Sequence, residues 1–109
     1  MAFWSMIMVN VHEGQAESSV QAFIRRRAIE EAAETIPGFQ HGELLLSTNE
    51  PDLLCVLCSW ENEAAYQQWL ASPLRARQFP DLQEMITSDI NPLMFLSKHT
   101  VSKSQPFST

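Results

Sequence analysis

The chain has 109 residues, 45% of them hydrophobic, with 13 acidic against 7 basic side chains and a net charge of −6. That is enough for one domain with a small core, and the acidic balance argues against nucleic acid or an anionic membrane surface as a partner. No apolar run reaches the roughly 18 residues of a membrane-spanning helix, and the apolar start, Met1 to Val9, lacks the basic flank and cleavage site of a signal peptide, so it reads as the first strand of a cytoplasmic protein.

Phe3 to His12 alternates as a strand, with Ile7, Val9 and Val11 on one face and Met6, Met8, Asn10 and His12 on the other. Glu13-Gly14 makes a turn. From about Gln15 to Ile36, Ala16, Val20, Ile24, Ala28, Ala32 and Ile36 recur every fourth residue, which predicts one long amphipathic helix. Arg26 and Arg27 are spaced to pair with Glu30 and Glu31 on its solvated face. Pro37-Gly38 ends the helix.

Phe39 to Thr48 reads as a second strand and Leu53 to Trp60 as a third, joined by the turn Asn49-Glu50-Pro51-Asp52 into an antiparallel hairpin. Cys55 and Cys58 form a C-x-x-C inside the third strand. Side chains three apart on a strand point to opposite faces, so the pair is read as buried structural thiols and not as a metal or redox site. Asn62 is the expected N-cap of a short helix ending near Ala71. Ser72-Pro73 opens another, interrupted at Pro80 with Asp81 as a restart. Leu93 to Val101 is the last strand, and 102–109 is a polar tail.

The order is β-α-β-β-α-β, an α+β, ferredoxin-like unit spanning 1–101. The first and third strands are apolar on both faces. Helices can cover one face of such a sheet, so the other calls for a second cover. A second copy, sheet against sheet, is the simplest, which predicts a homodimer.

Several side chains are candidates for chemistry. Asn10 either satisfies the neighbouring turn or aims its amide at a substrate oxygen. His12 shares its face and titrates near neutral pH. Trp60 is either a core tryptophan or a wall for a flat ligand, with Val56 and Cys58 on its face of the strand. Tyr66 and Trp69 cluster with Asn62 on one side of the short helix. Arg75 and Arg77 are placed to meet an anionic or phenolate substrate at a pocket mouth. His12, His41 and His99 lack metal-ligand spacing, and there is no glycine-rich phosphate loop, so no metal or cofactor is expected.

Pro37-Gly38-Phe39, the strand ending in Trp60, Glu63-Ala64-Ala65-Tyr66 and Trp69-Leu70-Ala71-Ser72-Pro73 together resemble the antibiotic biosynthesis monooxygenase family. The resemblance spans about residues 5–101. It implies a dimeric α+β barrel and a cofactor-independent monooxygenase acting on a small aromatic or quinone-like molecule. Asn10 would orient the substrate anion and Trp60 would stack on its ring, with His12, Val56, Tyr66, Trp69 and Arg77 around it. Haem-degrading relatives carry a histidine about ten residues after the helix tryptophan, and none lies between Arg75 and Asp89 here. The anthrone oxygenases carry a second asparagine at the position of Val56. Half of their polar pair is therefore missing, and a non-catalytic binding protein on the same scaffold is the alternative reading.

Overall fold

The computed structural model describes residues 2–88 and 90–103. In chain order it has β1 (Phe3–Asn10), α1 (Ala16–Arg26), α2 (Ala28–Thr35), β2 (Phe39–Leu46), β3 (Leu53–Trp60), α3 (Glu63–Leu70), α4 (Pro73–Leu82), a short 3-10 turn (Gln83–Met85) and β4 (Pro92–Leu96). The strands form one antiparallel sheet in the order β2-β3-β1-β4, the ferredoxin-like arrangement expected from the element order. Residues 104–109 of the expected tail lie outside the described residues.

The register places Phe3 opposite Trp60, Ser5 opposite Cys58, Ile7 opposite Val56 and Val9 opposite Leu54. These eight share the face that the helices cover. Phe3, Cys58 and Trp60 pack with Ala32, Ile36, Ala65, Tyr66 and Trp69, while Val9 and Leu54 pack with Phe23 and Leu82. Fully burying a large apolar side chain stabilises by roughly 1.5–3 kcal/mol, so this face holds much of the fold's favourable energy. On the opposite face Trp4 and Met6 are half-buried, and Met8 and Phe95 are exposed. On edge strand β4, Leu93, Met94, Phe95 and Leu96 are each about half exposed.

Local chemistry explains the starts of the last two helices. Asn62 Oδ1 accepts from the Ala65 amide at 3.0 Å, and Ser72 Oγ accepts from the Leu74 amide at 3.2 Å with Pro73 in the first turn. Gly38 is fixed by proximity. A Cβ there would lie 2.6 Å from that of Ala65 on α3.

Three expectations are corrected. The long helix is broken at Arg27, which adopts a left-handed conformation (φ 57°, ψ 41°) that L side chains rarely take. Its amide still donates to the Ile24 carbonyl, and its carbonyl accepts from Glu31 as α2 begins. The break resets the helical phase, so Arg27 pairs with Glu34 and Arg26 pairs with Glu31 and Asp81. The Glu30 and Glu31 partners expected from continuous spacing are replaced. The Arg27 pair and the Glu31 contact with Gln78 hold both carboxyls below the usual range. Second, α4 runs through Pro80. The proline removes one helical N–H, but Asp81 holds Arg26 at 2.6 Å and Leu82 is buried, so the turn continues. Third, β1 ends at Asn10, β2 at Leu46 and β4 at Leu96, each short of its expected end.

Candidate functional site

The helices do not fill the covered face of the sheet completely. A cavity of about 190 Å³ remains, floored by Ser5, Ile7, Val56, Cys58 and Trp60. Its roof comes from Phe23, Ala28 and Ile29 at the helix break, Tyr66 and Trp69 on α3, and Arg75, Gln78 and Phe79 on α4. This is below the roughly 300–1,000 Å³ of ordinary ligand pockets, so it suits a small, flat, apolar molecule. Phe79 is 54% exposed, so the α4 side, with Arg75, Phe79 and Ile90, is the mouth.

Trp60 and Tyr66 belong to an aromatic cluster that continues behind the cavity wall. Trp60 meets Phe39 edge-on with centroids 5.3 Å apart and Tyr66 at 5.4 Å, and Phe3 lies 5.8 Å from Tyr66. Such pairs fix ring planes as well as bury area. The Trp60 indole Nε1 donates to Ser5 Oγ at 3.0 Å, wholly buried, so Trp60 has no free donor for a ligand and acts as a wall.

Tyr66 is different. The residue is 1% exposed and its hydroxyl has no hydrogen-bond partner among the described residues. Burial pushes its phenol above the ordinary value, and the positive charge of Arg75 partly offsets that. It is therefore a protonated donor at neutral pH, placed by packing and not used by any described residue. A buried hydroxyl without a partner costs roughly 1–3 kcal/mol. The Ser19 hydroxyl is also unpartnered among the described residues, but only that of Tyr66 belongs to a residue lining the cavity, where a ligand or a water can reach it. Cys58 beside it is inert, since burial, with a smaller contribution from Cys55, pushes its thiol up to about 12.

Four of the residues expected from sequence, Val56, Trp60, Tyr66 and Trp69, meet around this cavity. Three do not. Asn10 has the parity of Trp4, Met6 and Met8, so it lies on the opposite face of the sheet from Trp60. It is also seven residues along β1 from Phe3, the partner of Trp60, or about 23 Å at the usual rise. Its amide donates to Ser88 Oγ at 3.2 Å and its carbonyl accepts from Thr87, tying down the segment after the 3-10 turn. His12 is exposed and donates from Nε2 to the Glu84 carbonyl at 3.0 Å. Arg77 points away from the cavity, because the face of α4 turned inward carries Arg75, Gln78 and Phe79 at helical spacing.

Sequence reasoning missed Ser5, whose small polar side chain in an apolar strand was the signal, and Gln78. Gln78 Nε2 donates to the Ala28 carbonyl at 3.0 Å and to Glu31 Oε1 at 2.9 Å. It thereby ties α4 to the helix break above the cavity. Among the described residues no group of three or more His, Cys, Asp or Glu side chains could hold a metal ion. No helix among them is long and apolar enough to cross a membrane.

A family model described as antibiotic biosynthesis monooxygenase matches residues 3–79. Among solved structures, the chain is similar to SnoaB from Streptomyces nogalater, described as a cofactor-independent oxygenase. The two are 20% identical, with 94% of this chain and 98% of that one covered and a TM-score of 0.75. A conserved protein from Methanosarcina mazei Go1 is 18% identical over 90% of this chain and 94% of its own, also with a TM-score of 0.75. Rv0793 from Mycobacterium tuberculosis is 14% identical over 94% and 100%, with a TM-score of 0.74. At these identities the structures speak for the fold alone.

Proposed function

The chain belongs to the antibiotic biosynthesis monooxygenase family, and from that premise we propose that it is a cofactor-independent monooxygenase of a small phenolic aromatic, bound between Trp60 and the helices. One observation carries this reading: a buried, protonated, unpartnered Tyr66 hydroxyl at an aromatic-walled cavity whose edge holds the guanidinium of Arg75. SnoaB, of the same fold, is described as a cofactor-independent oxygenase, which lends support.

The chemistry follows from charge placement. Arg75 favours the anionic form of a substrate phenol or enol, and Tyr66 donates a hydrogen bond to its oxygen. Trp60 and Trp69 hold the ring. The electron-rich carbanion form can then reduce O2 itself. A ring CH2 loses a proton, and the resulting carbon bonds to one oxygen to give a hydroperoxide. Loss of the remaining C–H proton and cleavage of the O–O bond leave C=O and water. Both oxygen atoms and all four electrons come from O2 and substrate, so no outside reductant is needed.

The uncovered sheet face, with Met8, Leu93 and Phe95 each 38–50% exposed, favours pairing of two copies sheet to sheet. A specific observation favours a second reading, a non-catalytic small-molecule binder. The cavity floor pairs Ile7 with Val56, hydrocarbon against hydrocarbon.

Oxygen uptake with a panel of anthrones and hydroquinones, without added flavin or metal, separates the two. Turnover that falls at least tenfold in Tyr66→Phe, with the variant still folded, supports the oxygenase. Tight binding of the same compounds without oxygen uptake supports the binder.

A further inference from the structure

A second depression lies outside the cavity, on the other side of α2. It measures about 280 Å³ and runs between α2 and β2, past Ala33, Phe39, Gly42 and Leu44. Its lining is hydrocarbon apart from the backbone and Glu30. It shares Phe23, Ala28 and Ile29 with the inner cavity, so these three residues form the partition between the two spaces. The two spaces adjoin, Gly42 lining the groove and Cys58 opposite it lining the cavity. A Cβ on Gly42 would sit 2.5 Å from Ile29 Cγ2 on the outer side and 3.4 Å from Cys58 Sγ, which faces the cavity. The partition also stands where the helix is broken, next to the left-handed Arg27. The carbonyl of Ala28 is held from the α4 side by Gln78.

We propose that this groove is the entry site for molecular oxygen, which passes between Phe23 and Ile29 to reach a substrate already seated against Trp60. The proposal rests on the oxygenase reading. A flat ring system entering past Arg75 and Phe79 fills a cavity of about 190 Å³ and closes the mouth behind it. The second reactant then needs another way in. Oxygen is apolar, gains nothing from polar partners and partitions into hydrocarbon spaces, as xenon does in dry apolar cavities. A groove lined mainly by alkyl and aromatic side chains, with the Glu30 carboxylate at its edge, suits it better than it suits an anion. Arg27 interrupts the helix beside this partition, so the side chains of two short helices meet there, and side chains move on fast timescales.

Ala33 lines the groove and not the cavity, which makes it the residue to enlarge. Crystals of the protein under xenon pressure are expected to hold xenon both in the groove and beside Ile29 in the cavity, and Ala33→Phe is expected to lose the groove atom. In steady-state kinetics Ala33→Phe should lower kcat/KM for O2 at least threefold with KM for the aromatic unchanged. Ala33→Leu, a smaller enlargement, should give an intermediate value. Xenon absent from the groove overturns the proposal, as does kcat/KM for O2 unchanged in both variants. If no aromatic is turned over at all, the oxygenase reading fails by itself. The xenon pattern still decides the groove, since occupancy there without occupancy in the cavity means that no passage exists.

Discussion

Tyr66→Phe should separate function from stability in one substitution. The change removes a single oxygen atom and keeps the ring that packs 5.8 Å from Phe3 and 5.4 Å from Trp60. In a buried tyrosine whose hydroxyl is bonded to the protein, this change costs about 1 kcal/mol. Here there is no bond to lose, because the Tyr66 hydroxyl has no partner among the described residues. Removing an unsatisfied buried hydroxyl returns its desolvation cost of roughly 1–3 kcal/mol, and a water in the neighbouring cavity would reduce that return toward zero. Tyr66→Phe is therefore expected to be neutral, or stabilising by up to about 3 kcal/mol. Urea unfolding of both proteins at one matched concentration measures it, with m held constant as the check that the same surface is exposed. In a chain of this size each kcal/mol also moves Tm by about 4 °C. Destabilisation beyond about 1 kcal/mol would refute the reasoning, since it would mean that the hydroxyl holds the fold together and is not free for a ligand.

Ser5→Ala leaves the Trp60 indole N–H buried and unpaired in place of its 3.0 Å bond, and should cost about 1–3 kcal/mol in the same urea assay. Gly38→Ala puts a methyl 2.6 Å from Ala65 Cβ, forcing α3 away from the turn, and should cost about 1–3 kcal/mol with a matching fall in Tm. Burial raises the Cys58 thiol from its ordinary 9.0 to about 12. The folded state therefore keeps the proton where the unfolded chain has lost it. Stability is complete below about pH 9 and falls as pH rises from 9 toward 12, by at most about 1.4 kcal/mol per unit from this group. Unfolding free energies measured across that window should fall less steeply in Cys58→Ala.

Much of the scaffold was legible because it is written in local chemistry. The third strand begins at Leu53 and ends at Trp60 as its apolar run after the Asn49–Asp52 turn implied, and the caps at Asn62 and Ser72 bond as such residues do. The break at Arg27 was not legible, since nothing in an alanine- and glutamate-rich stripe signals a left-handed residue. It is held by partners that are distant in sequence, Gln78 and Asp81 among them. The site divides the same way. Strand parity grouped Val56 with Trp60 and helix spacing grouped Tyr66 with Trp69, but only the family resemblance placed the two groups around one pocket. Period-two alternation also grouped Asn10 with Met6 and Met8, but which face the helices would cover depends on how β1 pairs with β3. Choosing Arg75 over Arg77 required the rotation of α4 about its axis, which tertiary packing sets.

Calorimetric titration with a dihydroxyanthraquinone, comparing wild type with Tyr66→Phe and Asn10→Ala, would locate the ligand most directly. A ligand held against Trp60 with its oxygen on the Tyr66 hydroxyl should bind about tenfold more weakly to Tyr66→Phe, the worth of one hydrogen bond. It should bind Asn10→Ala as it binds wild type. The reverse pattern, affinity lost in Asn10→Ala and kept in Tyr66→Phe, would put the ligand on the opposite face of the sheet and contradict the site described here.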